Sequence, residues 1–410
     1  MKFITTNNTA KKRPATKSVF YRVSAWLHLW LGLISGLIMT IICLCACIWV
    51  FNEEITGLLE PSTKIARENK PVILPSQLMR IADSVYPGKK PGYATYQQGK
   101  AIYLVSGQGR SGNNVLRIHP YTGSVISKTE RKAGQTDFFR FILNGHRFLW
   151  LPVDIGRPIV NYGTLLFVII LISGLVLWWP KRWSKAARRQ NFRIKWKASF
   201  KRVNYDLHNV LGFYSMLVLL AIALTGMVYG IKWYSRGLYW VTAAGQSLPE
   251  FQRLSSDSLL AGKFYTPQQV MDKSWNEIAA THPEAEGFYY SFPDTSKPAS
   301  TIAITVYPTA GKYYNNRSFS FDQHTGKRLT GNPLYEKSYD EASGAVKLRR
   351  MNYDIHIGSI LGLPGKIIAF FASLVGASLP VTGFLVWLGK RRKSPAKKKA
   401  VAVTRLQPVV

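Results

Sequence analysis

The stretch "AWLHLWLGLISGLIMTIICLCACIWVF", Ala25–Phe51, runs for 27 residues without one Asp, Glu, Lys or Arg. At 1.5 Å of rise per residue, about 20 residues cross a hydrocarbon layer of about 30 Å. The stretch therefore predicts a membrane-spanning helix. It exceeds a signal-peptide h-region, and no small-x-small cleavage pattern follows it, so a retained anchor is expected. Three more apolar runs, Ile159–Trp179, Val210–Ile231 and Pro364–Leu388, meet the same length test. The expected fold class is membrane α-helical, with four transmembrane helices.

The 410-residue chain carries a net charge of +33, which in a soluble protein would suggest a nucleic-acid partner. Its placement says otherwise. Residues 1–24, 181–202 and those after Leu388 hold 24 of the 54 basic residues and no acid. Short loops rich in Lys and Arg stay in the cytoplasm, which puts both termini and the 181–202 loop inside and the segments near 52–158 and 232–363 outside. The surplus also suits anionic lipid. Nucleic acid is not an expected partner. Cys43, Cys45 and Cys47 all lie in the first run, where they serve as small packing residues, so the outer segments have no disulfides. No C-x-x-C-H sequence is present for covalent haem attachment.

The chain repeats itself. "LHLWLG", Leu27–Gly32, returns 180 residues later as "LHNVLG", Leu207–Gly212. After the first span comes "LPSQLMRIADSVYPG…", and after the third "TPQQVMDKSWNEIAATHPE…". Each places Pro and Gln ahead of an amphipathic helical pattern, continues in alternating β-type runs, and closes on a turn, "HPYTG" or "DQHTG". Each is expected to be a small α+β unit, a helix on an antiparallel sheet. "NGHRFLWLP" then leads to a helix ending "SGLVLWWPKR", as "YDIHIGSILGLPG" leads to one ending "TGFLVWLGKR". The expected plan is a basic N-terminus (1–24), a span (25–51), an outer domain (52–136), an interfacial segment with the second span (137–180), and a basic loop (181–202). A third span (203–231), a second outer domain (232–347), an interfacial segment with the fourth span (348–388) and a basic tail (389–410) complete it.

Of seven histidines, His119, His282 and His324 fall in the outer domains, and turn or surface packing accounts for His119 and His324, which lie near equivalent turns. The other four come in matched pairs. His28 and His208 open the first and third spans at the inner face, and His146 and His356 precede the second and fourth spans at the outer face. An ionisable residue at membrane depth is costly and marks function by default. Two imidazoles facing each other in each leaflet are what a b-type haem needs, one nitrogen on either side of the iron. These four residues are the expected axial ligands of two haems. Gly32 and Gly212, one turn further on, leave room for a porphyrin, or serve ordinary small-residue helix packing, since Gly32 and Gly36 also form GxxxG. Interfacial Arg22, Arg202, Arg147 and Arg349 are candidates for the haem propionates, although positive-inside anchoring accounts for the first two equally well.

"GQGRSG", Gly107–Gly112, satisfies G-x-G-x-x-G, but a dinucleotide site needs a helix directly afterwards, and "NNVLRIHP" is a strand pattern. A hairpin loop is expected there. No P-loop, H-E-x-x-H or G-x-S-x-G occurs. With no NAD or flavin site in the chain, electrons would have to come from a separate donor, a quinol or a cytoplasmic reductase.

Taken together, "LHLWLG", "DLHNVLG", "NGHRFLWL", "SGLVLWWP" and "YDIHIGSILGLPG", in this order and with two outer domains, resemble the PepSY-associated transmembrane family of bacterial inner-membrane proteins. The resemblance implies PepSY-like outer domains in the periplasm, His28, His208, His146 and His356 as haem ligands, and a ferric-siderophore reductase activity. Three function classes follow from the residues taken with what the resemblance implies. A haem-containing oxidoreductase would reduce a ferric chelate outside, with Phe288, Tyr289 and Tyr290 as a docking surface or as sheet core. A non-redox, membrane-anchored PepSY protein would instead bind or restrain an envelope protease, with structural histidines. A proton- or metal-coupled transporter would need acidic or polar residues at mid-bilayer, which the four runs do not offer.

Overall fold

The computed structural model describes residues 17–60, 63–107, 114–130, 136–331 and 333–391. Among these, four helical segments are long and apolar enough to cross a membrane: Val19–Trp49, Val153–Trp178, Phe200–Gly230 and Ser359–Lys390. The helices of the first half are α1 (Val19–Trp49), α2 (Asn52–Leu59), α3 (Pro75–Val85), α4 (Phe138–Phe148), α5 (Val153–Trp178) and α6 (Lys185–Phe192). The second half has α7 (Phe200–Asp206), α8 (Gly212–Gly230), α9 (Lys232–Thr242), α10 (Pro267–Thr281), α11 (Gly344–Ile357) and α12 (Gly362–Arg391). Between α7 and α8 the third span widens into five residues of π-helix, Leu207–Leu211.

In the bundle α1 packs against α5 and α12, and α8 touches α5 and α12. Its core is apolar, with Met39, Ile42, Phe167, Leu171, Leu219 and Met227 among its buried side chains. α1 and α12 approach closely at Gly36, where an added Cβ would stand 3.0 Å from Cβ of Pro380. Small residues at such crossings are how helices associate in lipid, where burying apolar surface drives nothing. The GxxxG reading thus holds for Gly36, and Gly32 lies in open space.

The strands are β1 (Pro91–Gln97), β2 (Ile102–Ser106), β3 (Asn114–Ile118), β4 (Val125–Thr129), β5 (Gly287–Ser291), β6 (Thr301–Tyr307), β7 (Arg317–Asp322) and β8 (Arg328–Leu329). Two separate outer domains are the expectation from sequence; the structure joins them. β1 pairs antiparallel with β5, Tyr93 opposite Ser291 and Gln97 opposite Gly287. The result is one eight-stranded sheet in the order β4-β3-β2-β1-β5-β6-β7-β8. Joining removes two exposed edges, which four-stranded sheets standing apart would each have to protect.

α3 and α10 lie on one face of this sheet over a single shared core. The Pro and Gln in each repeat are start signals: Gln77 Oε1 accepts from Leu74 N at 2.8 Å, and Gln269 Oε1 from Thr266 N at 2.9 Å. Ser76 N and Oγ donate to Asp272 at 3.0 and 2.6 Å, tying α3 to α10. In β6 the alternation "TIAITVY" sends Ile302, Ile304 and Val306 into the core and the threonines to the opposite face. The aromatic trio divides likewise. Tyr290 is fully buried and Phe288 packs on the core, while Tyr289 stacks on Tyr93 on the other face, ring centres 5.1 Å apart.

Strands flank the glycine-rich stretch, and β2 and β3 pair across it, Ser106 opposite Asn114. No helix follows the glycines, as a dinucleotide site would require. Residues 108–113 of the expected hairpin loop lie outside the described residues. His119 and His324 occupy equivalent turns, closed by Gly123 and Gly326 at φ +75° and +68°. In the second turn Asp322 accepts from the backbone of Asp257, His324 and Thr325. Burial pushes its carboxyl up, but these bonds outweigh burial and hold it below its ordinary value.

Trp275 of α10 is 3% exposed and packs between Tyr96 and Phe288. Trp275→Ala should destabilise the sheet by about 3–5 kcal/mol. The measurement is the thermal unfolding midpoint of the detergent-solubilised chain; an unchanged midpoint would show that α10 does not hold the sheet.

Candidate functional site: two facing histidine pairs

His28 sits in the third turn of α1 and His208 in the π-helical stretch, which displaces its ring relative to a regular helix. Such single π insertions recur at functional sites. The two rings face each other with centres 6.1 Å apart and planes at 79°. This pair lies at the far end of the bundle from the sheet, beside the cluster of Trp178, Phe192 and Phe213.

His146 and His356 reach the sheet side by a different route, along helices that precede the spans. Asp137 caps α4, and Leu149 and Trp150 then both take φ +57°, a costly conformation for non-glycine residues. Trp150 folds back over Gly145, where a Cβ would lie 2.3 Å from its Cζ2, and its Nε1 donates to Phe141 O at 2.9 Å. This reversal lays α4 along α1 and α5. It explains why His146 stands 13 residues ahead of its apolar run and still reaches the bundle core. After α11 the chain turns at Gly358 (φ +79°) and crosses Gly365 so closely that either glycine's Cβ would strike the other's backbone. The rings of His146 and His356 are also 6.1 Å apart, at 57°.

Each imidazole is anchored through Nδ1 to a neighbouring helix. His28 bonds Ile170 O at 3.0 Å, His146 Ile42 O at 3.0 Å, and His356 Ile222 O at 2.9 Å. A carbonyl only accepts, so Nδ1 carries the hydrogen and Nε2 keeps its lone pair. His208 Nδ1 meets Thr382 Oγ1 at 3.0 Å. That hydroxyl already donates to backbone carbonyls of its own helix, at 3.1 Å to Leu379 O, so it accepts from His208 and leaves the same tautomer.

Sequence reasoning named Gly32 and Gly212 but missed the glycines beneath the rings. A Cβ on Gly174 would stand 3.0 Å from His28 Cε1, on Gly383 3.0 Å from His208 Cε1, and on Gly226 3.1 Å from His356 Cε1. The signal was present in "SGLVLWWP" and "TGFLVWLG", whose glycines recur at the same place. Gly32 and Gly212 do line the far-side cavity, and around Gly32 no atom lies within 4 Å of an added Cβ.

The far-side pair opens on a cavity of about 470 Å³ and the sheet-side pair on one of about 440 Å³. Met39 and Phe167 line both and form the wall between them. Lys17 and Lys390 line the far-side cavity; Arg147 and Arg157 line the sheet-side one. Burial, then the like charges of Arg157 and Arg140, push the Arg147 guanidinium down from its ordinary value. Of the four arginine candidates only Arg147 stands at a cavity. Arg202 is held by Asp206 at 2.9 Å and Arg349 donates to Ser235 Oγ at 2.9 Å. Neither of these, nor Arg22, lines either cavity. Among the described residues no three His, Cys, Asp or Glu side chains converge. Two imidazoles without a third donor suit a cofactor that brings its own equatorial ligands better than a bare zinc ion, which takes three or four protein ligands.

Four spanning helices, an antiparallel sheet with helices on one face, and two facing histidine pairs define a membrane protein of α and α+β parts with a paired-imidazole core. The chain matches the PepSY-associated TM region over residues 25–390 and belongs to that family. Among curated proteins, none matches the sequence.

Two substitutions separate the glycines beneath the rings from those in open space. Gly174→Val drives a side chain into His28 and should destabilise by about 1–3 kcal/mol, as overpacking does. Gly32→Ala meets nothing and should leave thermal stability unchanged, or raise it by up to about 1 kcal/mol through helix propensity. Equal melting shifts in the two variants would contradict this assignment.

Proposed function

We propose that this protein is a di-haem b-type reductase of a bacterial inner membrane. His28 with His208, and His146 with His356, would hold the two haem irons. Electrons pass from the cytoplasmic side or the quinol pool to the periplasm, to ferric siderophores or other ferric chelates. The spacing of the rings carries this reading. An imidazole nitrogen binds a transition metal at about 2.0 Å, and the ring centre lies roughly 1.1 Å behind it, so two imidazoles on one iron stand roughly 6.2 Å apart, centre to centre. Both pairs stand at 6.1 Å. Bound haem supplies one-electron exchange with no substrate on the metal.

The chain's own residues supply the rest. The Nδ1–H bonds orient the four rings and raise their basicity. Met39 and Phe167 keep water out of the space between the cavities. Lys17 and Lys390 in one cavity, and Arg147 and Arg157 in the other, would supply cations to the carboxylates of a bound porphyrin, and the arginines would also draw an anionic chelate to the sheet side. The one-sided placement of 24 basic residues supports cytoplasmic termini and a periplasmic sheet. The offset of 180 that relates His28 to His208 also relates Ile42 to Ile222, which supports an internal duplication.

A dithionite-reduced minus oxidised spectrum of the purified protein, with haem counted per chain, tests the proposal. Two low-spin b-type haems are expected, with His28→Ala losing one and His356→Ala the other. A colourless protein, expressed with ample haem, would overturn it and favour a sheet that binds an envelope protease.

A further inference from the structure

Each ring lies against a helix at a repeated pair of residues. Three positions after the carbonyl that faces the imidazole comes a hydroxyl, and four positions after comes the small residue beneath the ring. The far-side pairs are Ser173–Gly174, following Ile170, and Thr382–Gly383, following Leu379. On the sheet side Thr225–Gly226 follows Ile222, while Ile42 is followed by Cys45–Ala46.

The hydroxyls touch both partners of the anchoring bond. Ser173 Oγ donates to Ile170 O at 3.0 Å and lies 3.3 Å from His28 Nδ1. Thr225 Oγ1 has Ala221 O at 2.7 Å and Ile222 O at 2.9 Å as acceptors for its one hydrogen, and lies 3.2 Å from His356 Nδ1, where its oxygen competes with the Ile222 carbonyl for the ring's N–H. Thr382 Oγ1 lies at 3.0 Å from His208 Nδ1 and takes the bond itself. His146 has the Ile42 carbonyl with a cysteine in the hydroxyl's place, and a thiol is a weak donor and acceptor.

We propose that Ser173, Thr225 and Thr382 are positioning residues that weaken the hydrogen bond behind each axial imidazole and so raise the midpoint potential of the iron it holds, and that Cys45 leaves His146 without this control. The proposal rests on the haem reading above. A carbonyl that already accepts a hydroxyl proton is a poorer acceptor for Nδ1–H, and a hydroxyl oxygen is a poorer acceptor than a peptide carbonyl. Without the hydroxyl, Nδ1–H gives itself fully to the carbonyl, the ring becomes more basic, and a more basic ligand favours ferric iron. Second-shell partners of this kind orient the ligand and tune the metal together. The four positions therefore assign two softened ligands to the far-side iron, and one softened and one unsoftened ligand to the sheet-side iron.

The test is a potentiometric titration of the full chain in detergent, following the α-bands of both haems. Ser173→Ala should keep both haems and lower the midpoint of one, and Ser173→Thr should restore it. Cys45→Ser adds a hydroxyl where none stands, and should raise the midpoint of the other haem. Retained haem with unmoved midpoints, or Ala and Thr variants at Ser173 that shift alike, would reduce these residues to packing and overturn the inference while leaving the haem assignment intact. A wild type without haem would overturn both.

Discussion

The structure hangs on a hydrogen bond that leaves one helix and ends on another. No water reaches the middle of a bilayer, so a polar side chain there needs a partner within the protein. The rings find it across a helix boundary: His28 of α1 on α5, His146 of α4 on α1, His356 of α11 on α8, and His208, through Thr382, on α12. Each bond fixes the depth and rotation of two helices at once. Each also settles which nitrogen holds the hydrogen, so that every one of the four rings keeps an Nε2 lone pair. A slip of one residue along these contacts would break a bond and, at His28, His208 and His356, drive a side chain into a ring, because a glycine lies beneath each of the three.

The sheet is tied to the same end of the bundle as His146 and His356. Tyr313, in the β6–β7 connection, donates to Glu53 of α2 at 2.5 Å, and Lys366 at the start of α12 holds Glu54 at 2.8 Å and Glu53 at 3.6 Å. Asp354 of α11, two residues before His356, accepts from Tyr313 N at 3.0 Å and Ser359 Oγ at 2.7 Å. Burial pushes the carboxyl of Asp354 above its ordinary value, and burial and Glu53 push the hydroxyl of Tyr313 up as well. Tyr353, which lines the sheet-side cavity, packs on Tyr313 with ring centres 5.0 Å apart. The same few side chains thus join the sheet, the start of the fourth span and the wall of one cavity.

How much of this was legible in the chain follows from the range of the forces involved. The spans were plain, since crossing a hydrocarbon layer requires a long uncharged run, and Ala25–Phe51 supplies one. The pairing of His28 with His208 and of His146 with His356 was also readable, because a repeated motif and a charge bias set depth without any knowledge of packing. The Pro-Gln helix starts and the H-x-x-T-G-like turns announced the sheet units by local hydrogen bonding alone. What stayed hidden was contact between distant segments. The β1–β5 junction depends on two edges meeting, and nothing in "GYATYQ" or "GFYYS" names its partner. Nor does the sequence show that Asp206 holds Arg202 while Arg147 lines a cavity.

The sequence by itself determined the number of apolar spans, the helix-and-strand character of the segments between them and the matching of the histidines within the repeat, because composition, periodicity and repetition act over a few residues or over a bilayer's thickness. Only the tertiary structure decided that the sheet is continuous, that each ring is anchored through Nδ1, and that Gly174, Gly226 and Gly383 lie beneath the rings. Those features are set by which helix faces which and at what height, and that is a property of packing between segments more than a hundred residues apart.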